Sequence, residues 1–139
     1  MSKILVVDDM AVIREPIAAA LRSNGYEAVC AGDGKEALTL VRQSPPPDLI
    51  VLDLRLPILD GVGFMRVLRS YLRWQHIPVI VVSAGTDTEL EHVQQLGACG
   101  VFRKAQFQLN EFLDAVHDAL APASGEPNTL HSRRDEHHC

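Results

Sequence analysis

The sequence predicts a doubly wound α/β domain, with a five-stranded parallel sheet between two layers of helices. Three observations lead there. Short apolar runs alternate five times with segments of helical periodicity, which calls for parallel strands joined by crossover helices. The run Leu49–Leu52 has no polar break, as in a strand covered on both faces. Every run except the second stops on a polar residue, and open α/β sheets place their chemistry at the carboxyl ends of the strands.

In chain order, Ile4–Val7 is the first run and ends in Asp8-Asp9. From Ala11 to Leu21, Val12, Ile13, Ile17, Ala20 and Leu21 recur at helical spacing, and Gly25 falls where a C-cap belongs. Pro16 removes a backbone bond from this helix, so a late start or a kink is expected. Tyr26–Ala31 reads as the second strand. Asp33-Gly34 opens a helix through Val41, with Ala37, Leu38 and Val41 on one side, and Ser44-Pro45-Pro46-Pro47 ends it. The third strand stops on Asp53, and Pro57 and Gly61 mark the loop that follows.

Phe64–Tyr71 carries Phe64, Val67, Leu68 and Tyr71 at helical spacing, with Tyr71 and Trp74 read as edge packing. Ile77–Val82 is the fourth strand and ends at Ser83. Asp87–Leu96 is polar with a thin stripe of Leu90, Val93 and Leu96, an exposed helix. Cys99–Arg103 is the last strand, ending at Lys104. Phe107–Leu120 closes the domain with Leu109, Phe112, Leu113, Val116 and Leu120 inward. Residues 1–121 are thus expected to form one domain with no output domain after it. Residues 122–139 are polar, with no periodic apolar face, and are expected to be a disordered tail. His131, His137, His138 and Cys139 in that tail are irregularly spaced, which favours adventitious metal contact over a built site.

A chain of 139 residues with 47% hydrophobic content supports one core. Its net charge of -5 argues against a nucleic-acid-binding face, which needs clustered Lys and Arg. Cys30, Cys99 and Cys139 are odd in number and far apart, so no disulfide framework or zinc spacing appears, as suits a reducing cytoplasm. Only five apolar residues precede the first acids, too few for a signal peptide, and no run approaches the roughly 18 residues of a membrane span.

One common strand order for such a sheet is 2-1-3-4-5, which makes the first and third strands neighbours. Asp8, Asp9 and Asp53 then converge, with Ser83 and Lys104 on the far side of Asp53. Three carboxylates in one cleft repel: at roughly 5 Å and an effective dielectric near 20, each pair costs about 3 kcal/mol. Either one acid holds a proton or a cation sits among them. An all-oxygen set with room for water suits Mg²⁺. Lys104 adds a positive charge and Ser83 a hydroxyl donor, so the cleft reads as a receptacle for a phosphoryl group beside a nucleophilic carboxylate.

VVDD near the start, PDLIVLDLRLPILDG in the middle, IPVIVVSA later and Lys104 about twenty residues on together resemble the receiver domain of two-component response regulators. The resemblance covers residues 3–120. It implies a flavodoxin-like (CheY-like) three-layer αβα sandwich. It also implies that Asp53 accepts a phosphoryl group from a phosphohistidine on a sensor histidine kinase or a histidine phosphotransfer protein. Asp9 and Asp53 would ligate Mg²⁺ directly, Asp8 through water, and Arg55 through its backbone carbonyl. Ser83 and Lys104 would each bind a phosphoryl oxygen. The module would then switch a protein-interaction surface for a downstream protein, without multiple turnover as an enzyme, in the cytoplasm.

The chain departs from that pattern at two places. An aromatic residue usual three positions before the lysine is Val101 here, and Phe102 beside it should face the other way. The proline that usually follows the lysine is Ala105. With no ring at 101, a signal is expected to run through Ser83 and the loop to Asp87. Gly85 offers no side chain to shield a phosphoryl group. Both departures also fit a receiver fold that binds partners without phosphorylation. An aspartate-nucleophile phosphohydrolase would need a second acid two residues after the nucleophile, where Arg55 stands. A nucleotide or flavin carrier would need a Gly-rich loop where Asp8-Asp9 stands.

Overall fold

The structure, a computed structural model, describes residues 1–43 and 45–121. Five strands, β1 Lys3–Val7, β2 Glu27–Ala31, β3 Leu49–Leu52, β4 Val79–Ser83 and β5 Gly100–Arg103, alternate with helices α1 Ala11–Ser23, α2 Gly34–Arg42, α3 Gly61–Ser70, α4 Asp87–Gln95 and α5 Leu109–Leu120. The strands form one parallel sheet in the order β2-β1-β3-β4-β5. This is the flavodoxin-like arrangement expected.

Strand alternation sends side chains to two cores. Leu5, Val7, Ile50, Leu52, Val79 and Val81 pack with Ala37 of α2, Phe64 and Leu68 of α3 and Leu90 and Val93 of α4. Ile4, Val6, Leu49, Val51, Ile80 and Val82 pack with Ile17 and Leu21 of α1 and with Phe112 and Val116 of α5. Val101 joins the first cluster and Phe102 the second, where it meets Phe107 and Phe112 edge-on at 6.2 and 6.0 Å between ring centroids. The opposed orientation of residues 101 and 102 therefore holds.

Several details differ from the sequence reading. The first helix does not start late: it runs from Ala11 with Pro16 inside it, on an exposed face. Val12 is 71% exposed and Leu109 44%, although both fit the apolar stripes of their helices. Each lies in the first turn of its helix. Trp74 is no edge residue, being buried in the first core with Tyr71 tilted against it at 4.8 Å. Cys30 is a free thiol. Among the described residues no helix is long and apolar enough to cross a membrane. The expected tail, 122–139, lies outside the described residues.

The loop from Asp53 to α3 is held by two close approaches. A methyl group on Gly34 would lie 2.0 Å from the Leu59 carbonyl oxygen, and one on Gly61 2.7 Å from that of Asp53. Only glycine admits such backbone contact. Asp60 caps α3 by accepting from the Gly63 amide at 2.8 Å, which fixes the far end of the loop.

Candidate functional site

Register brings the acids together. Val7 pairs with Leu52, so the next residues, Asp8 and Asp53, leave adjacent strand ends side by side. The Asp53 amide donates to the Val7 carbonyl at 2.9 Å, extending the ladder into the site. Asp8 and Asp53 are each only 3% exposed, whereas Asp9 faces solvent. Carboxylate oxygens of Asp8, Asp9 and Asp53 lie within 4.8 Å of one another, a group able to hold a metal ion. The turn is tied locally, with Met10 N–H donating to Asp8 Oδ1 at 2.9 Å and Arg14 Nη1 to the Asp8 carbonyl at 2.8 Å. Asp8 and Asp9 do not cap α1, whose N-cap is Met10 with no side-chain cap bond.

Lys104 follows β5 in a short 3-10 turn, Lys104–Gln106. Its Nζ stands 3.1 Å from Asp8 Oδ2 and 3.3 Å from Asp53 Oδ2, so one ammonium bridges both buried acids. Ala105 in the usual proline position does not turn the lysine away. Ser83 is fully buried at the end of β4, and its Oγ accepts from the Gly85 amide at 3.1 Å and the Leu54 amide at 3.4 Å. The Arg55 amide donates to Asp53 Oδ1 at 3.4 Å.

Burial raises the Asp53 carboxyl above its ordinary value, and the neighbouring Asp8 charge adds to this; Lys104, the Arg55 amide and Ser83 work the other way. Burial disfavours the Lys104 ammonium, but Asp8 and Asp53 outweigh it and its pKa rises. The site is an acid-rich cleft, and among the described residues Lys104 is the one cation paired with its carboxylates. The donor set is all oxygen, which fits a hard divalent ion.

The response regulator receiver domain family matches residues 4–117. The chain belongs to that family. Its curated relatives include the DNA-binding response regulator MtrA of Mycolicibacterium paratuberculosis, 43% identical over 86 residues, or 62% of this chain and 36% of that protein. Another is the response regulator MprA of Mycolicibacterium vanbaalenii, 43% identical over 119 residues, or 85% of this chain and 50% of that protein. This chain thus spans half or less of those relatives' lengths. Among solved structures, a response regulator receiver protein from Pseudomonas putida is 33% identical with a TM-score of 0.78, over 84% of this chain and 96% of that one. The chemotaxis response regulator CheY4 of Vibrio cholerae is 28% identical with a TM-score of 0.76, over 85% and 98%. Because MtrA is named for DNA binding, the charge argument against nucleic acid finds no support among relatives.

Glu89 is the residue that sequence reading missed at this receiver's site. Its Oε1 accepts from the Thr86 amide at 2.9 Å while its own amide donates to Thr86 Oγ1 at 3.2 Å, a capping box that starts α4. Arg55 Nη2 reaches the same Oε1 at 3.3 Å. The Thr86 amide, then Arg55, hold the Glu89 carboxyl below its ordinary value. The pattern Thr-x-x-Glu before Leu90 was a readable capping signal; the reach of Arg55 from the loop after β3 was not.

Proposed function

We propose that Asp53 accepts a phosphoryl group from a phosphohistidine of a sensor histidine kinase or histidine phosphotransfer protein, and that the modified domain engages a downstream protein. The observation that carries this reading is the bridge from Lys104 to both Asp8 and Asp53, beside Ser83 and within a three-carboxylate cluster. Asp53 attacks as an oxygen nucleophile: an O–P bond forms, the P–N bond to the donor imidazole breaks, and the imidazole leaves as the neutral ring after taking a proton. No strong base is required, because an ionised carboxylate is already nucleophilic. Lys104 Nζ and Ser83 Oγ would each donate to a phosphoryl oxygen, contributing alignment and charge neutralisation.

Asp8, Asp9, Asp53 and the backbone carbonyl of Arg55 would hold Mg²⁺, which when bound supplies the positive charge that the acids and an incoming phosphoryl group share. Residues 1–121 serve as the folded unit, and the reading places it in the cytoplasm with its kinase. It modifies itself and is not a multiple-turnover enzyme.

Incubation with acetyl phosphate and Mg²⁺ followed by intact-mass and peptide analysis tests this. One phosphoryl group on Asp53, absent from Asp53→Asn, is expected; an unmodified wild-type protein would refute it. A second reading, partner binding without phosphorylation, is favoured by Val101, whose place in the core leaves no ring to rotate. It predicts equal capture of a partner by wild type and Asp53→Asn.

A further inference from the structure

Gly85 lacks a side chain, yet the space beside it is not empty. A methyl group there would lie 2.7 Å from Glu89 Oε1 and 3.4 Å from Ser83 Oγ. The Glu89 carboxylate therefore comes back from the first turn of α4 to the position a side chain at residue 85 would take, on the rim where Ser83 awaits a phosphoryl oxygen. Two donors hold it there, the Thr86 amide and the Arg55 guanidinium. Arg55 is also tied to the other side of the site, since its amide contacts Asp53 Oδ1. One arginine thus links the acceptor loop to the cap of α4.

We infer that Arg55 is a partner-switching residue and Glu89 its resting-state partner. The inference rests on the proposed phosphorylation of Asp53. Before transfer, the guanidinium pairs with Glu89 and the pair closes the rim over Gly85. A phosphoryl group on Asp53 brings negative charge beside both residues. It repels the Glu89 carboxylate and competes for the guanidinium, which two residues from Asp53 is within reach. Arg55 then leaves Glu89 for the phosphoryl oxygens, and the start of α4 loses its tie to the acceptor loop.

This supplies a route to α4 that needs no aromatic ring at Val101. It also makes Glu89 a competitor of the phosphoryl group for Arg55: whatever weakens Arg55–Glu89 frees the guanidinium to hold the phosphoryl oxygens. Both side chains are part-exposed, 57% and 38%, so the competition is mild and reversible, as a switch requires.

The test compares wild type, Glu89→Gln and Arg55→Gln, each phosphorylated with acetyl phosphate and Mg²⁺. Acyl-phosphate half-life is read by intact mass, and amide exchange at residues 86–90 with and without phosphate. Gln is accepted at this capping-box position, so Glu89→Gln keeps the helix start and removes only the charge. In wild type, phosphorylation should speed exchange at 86–90. In Glu89→Gln the exchange should be faster already, change less on phosphorylation, and the half-life should lengthen about two- to fivefold, the worth of an exposed ion pair. Arg55→Gln should show the same exchange behaviour with no longer half-life, because the guanidinium is lost to both partners. Equal half-lives and equal exchange responses in wild type and Glu89→Gln would overturn the switch while leaving Asp53 phosphorylation intact. Absence of acyl phosphate from all three proteins would instead overturn the acceptor reading, and the switch with it.

Discussion

Two charged clusters flank Asp53, and they are built on opposite principles. On one side Asp8, Asp53 and Lys104 are nearly closed off from water, with side-chain exposures of 5%, 3% and 20%. On the other, Arg55 and Glu89 are part-exposed, at 57% and 38%. Buried charges have few alternatives, so taking away a partner is costly. Exposed ones exchange partners with water and with each other at little cost. A site can thus be both rigid and responsive: the strand ends fix Asp53, while the loop-borne Arg55 can exchange partners at little cost.

The largest effect is expected at Lys104, which holds the buried cluster together. Lys104→Met leaves Asp8 and Asp53 without their shared cation and should destabilise the Mg²⁺-free protein by about 2–4 kcal/mol at neutral pH, read by urea denaturation. Because the lysine's pKa is raised in the folded protein, its stabilisation is complete below the unfolded value and is lost as pH rises through the folded one. The penalty of the substitution should accordingly shrink in alkali.

Asp53→Asn should act the other way, stabilising the Mg²⁺-free protein by on the order of 1 kcal/mol, because it removes one repelling carboxylate but also one partner of Lys104. The folded Asp53 carboxyl has a raised pKa, so the folded state binds its proton more readily than the unfolded chain. Its destabilising charge is fully present above the folded pKa and fades as pH falls through it toward the unfolded value. Melting curves of the two proteins should therefore converge on acidification; a gap that widens would reverse the assigned cause.

The exposed cluster should give smaller effects. Glu89→Ala loses the capping-box carboxylate and should cost about 0.5–1 kcal/mol, confined to faster amide exchange at the start of α4. Arg55→Gln should change stability by less than about 0.5 kcal/mol. If either matched Lys104→Met, the contrast between the two clusters would be lost.

What could be read from the sequence follows the same division. Apolar runs that stop on acids announce strands and their carboxyl ends, because burial on two faces leaves no room for polar residues until the sheet ends. Asp8, Asp9, Asp53, Ser83 and Lys104 were therefore legible as one cluster once the strand order was assumed. Features made by approach through space were not. Glu89 fills the place beside Gly85 because α4 begins there, and no spacing rule ties residue 55 to residue 89. The exposure of Val12 and Leu109 was hidden for a related reason: periodicity names a face, but only packing decides how far the sheet covers it. The burial of Trp74 depends on where the turn after α3 folds back, which periodicity does not report.

A divalent ion held by Asp8, Asp9 and Asp53 would offset the repulsion among the three clustered acids. Titration of wild type with Mg²⁺ by calorimetry, paired with melting temperature at each concentration, tests it most directly. One ion per chain, a melting temperature that rises with Mg²⁺, and weaker binding in Asp9→Asn are predicted. No measurable uptake and a melting temperature indifferent to Mg²⁺ would contradict it.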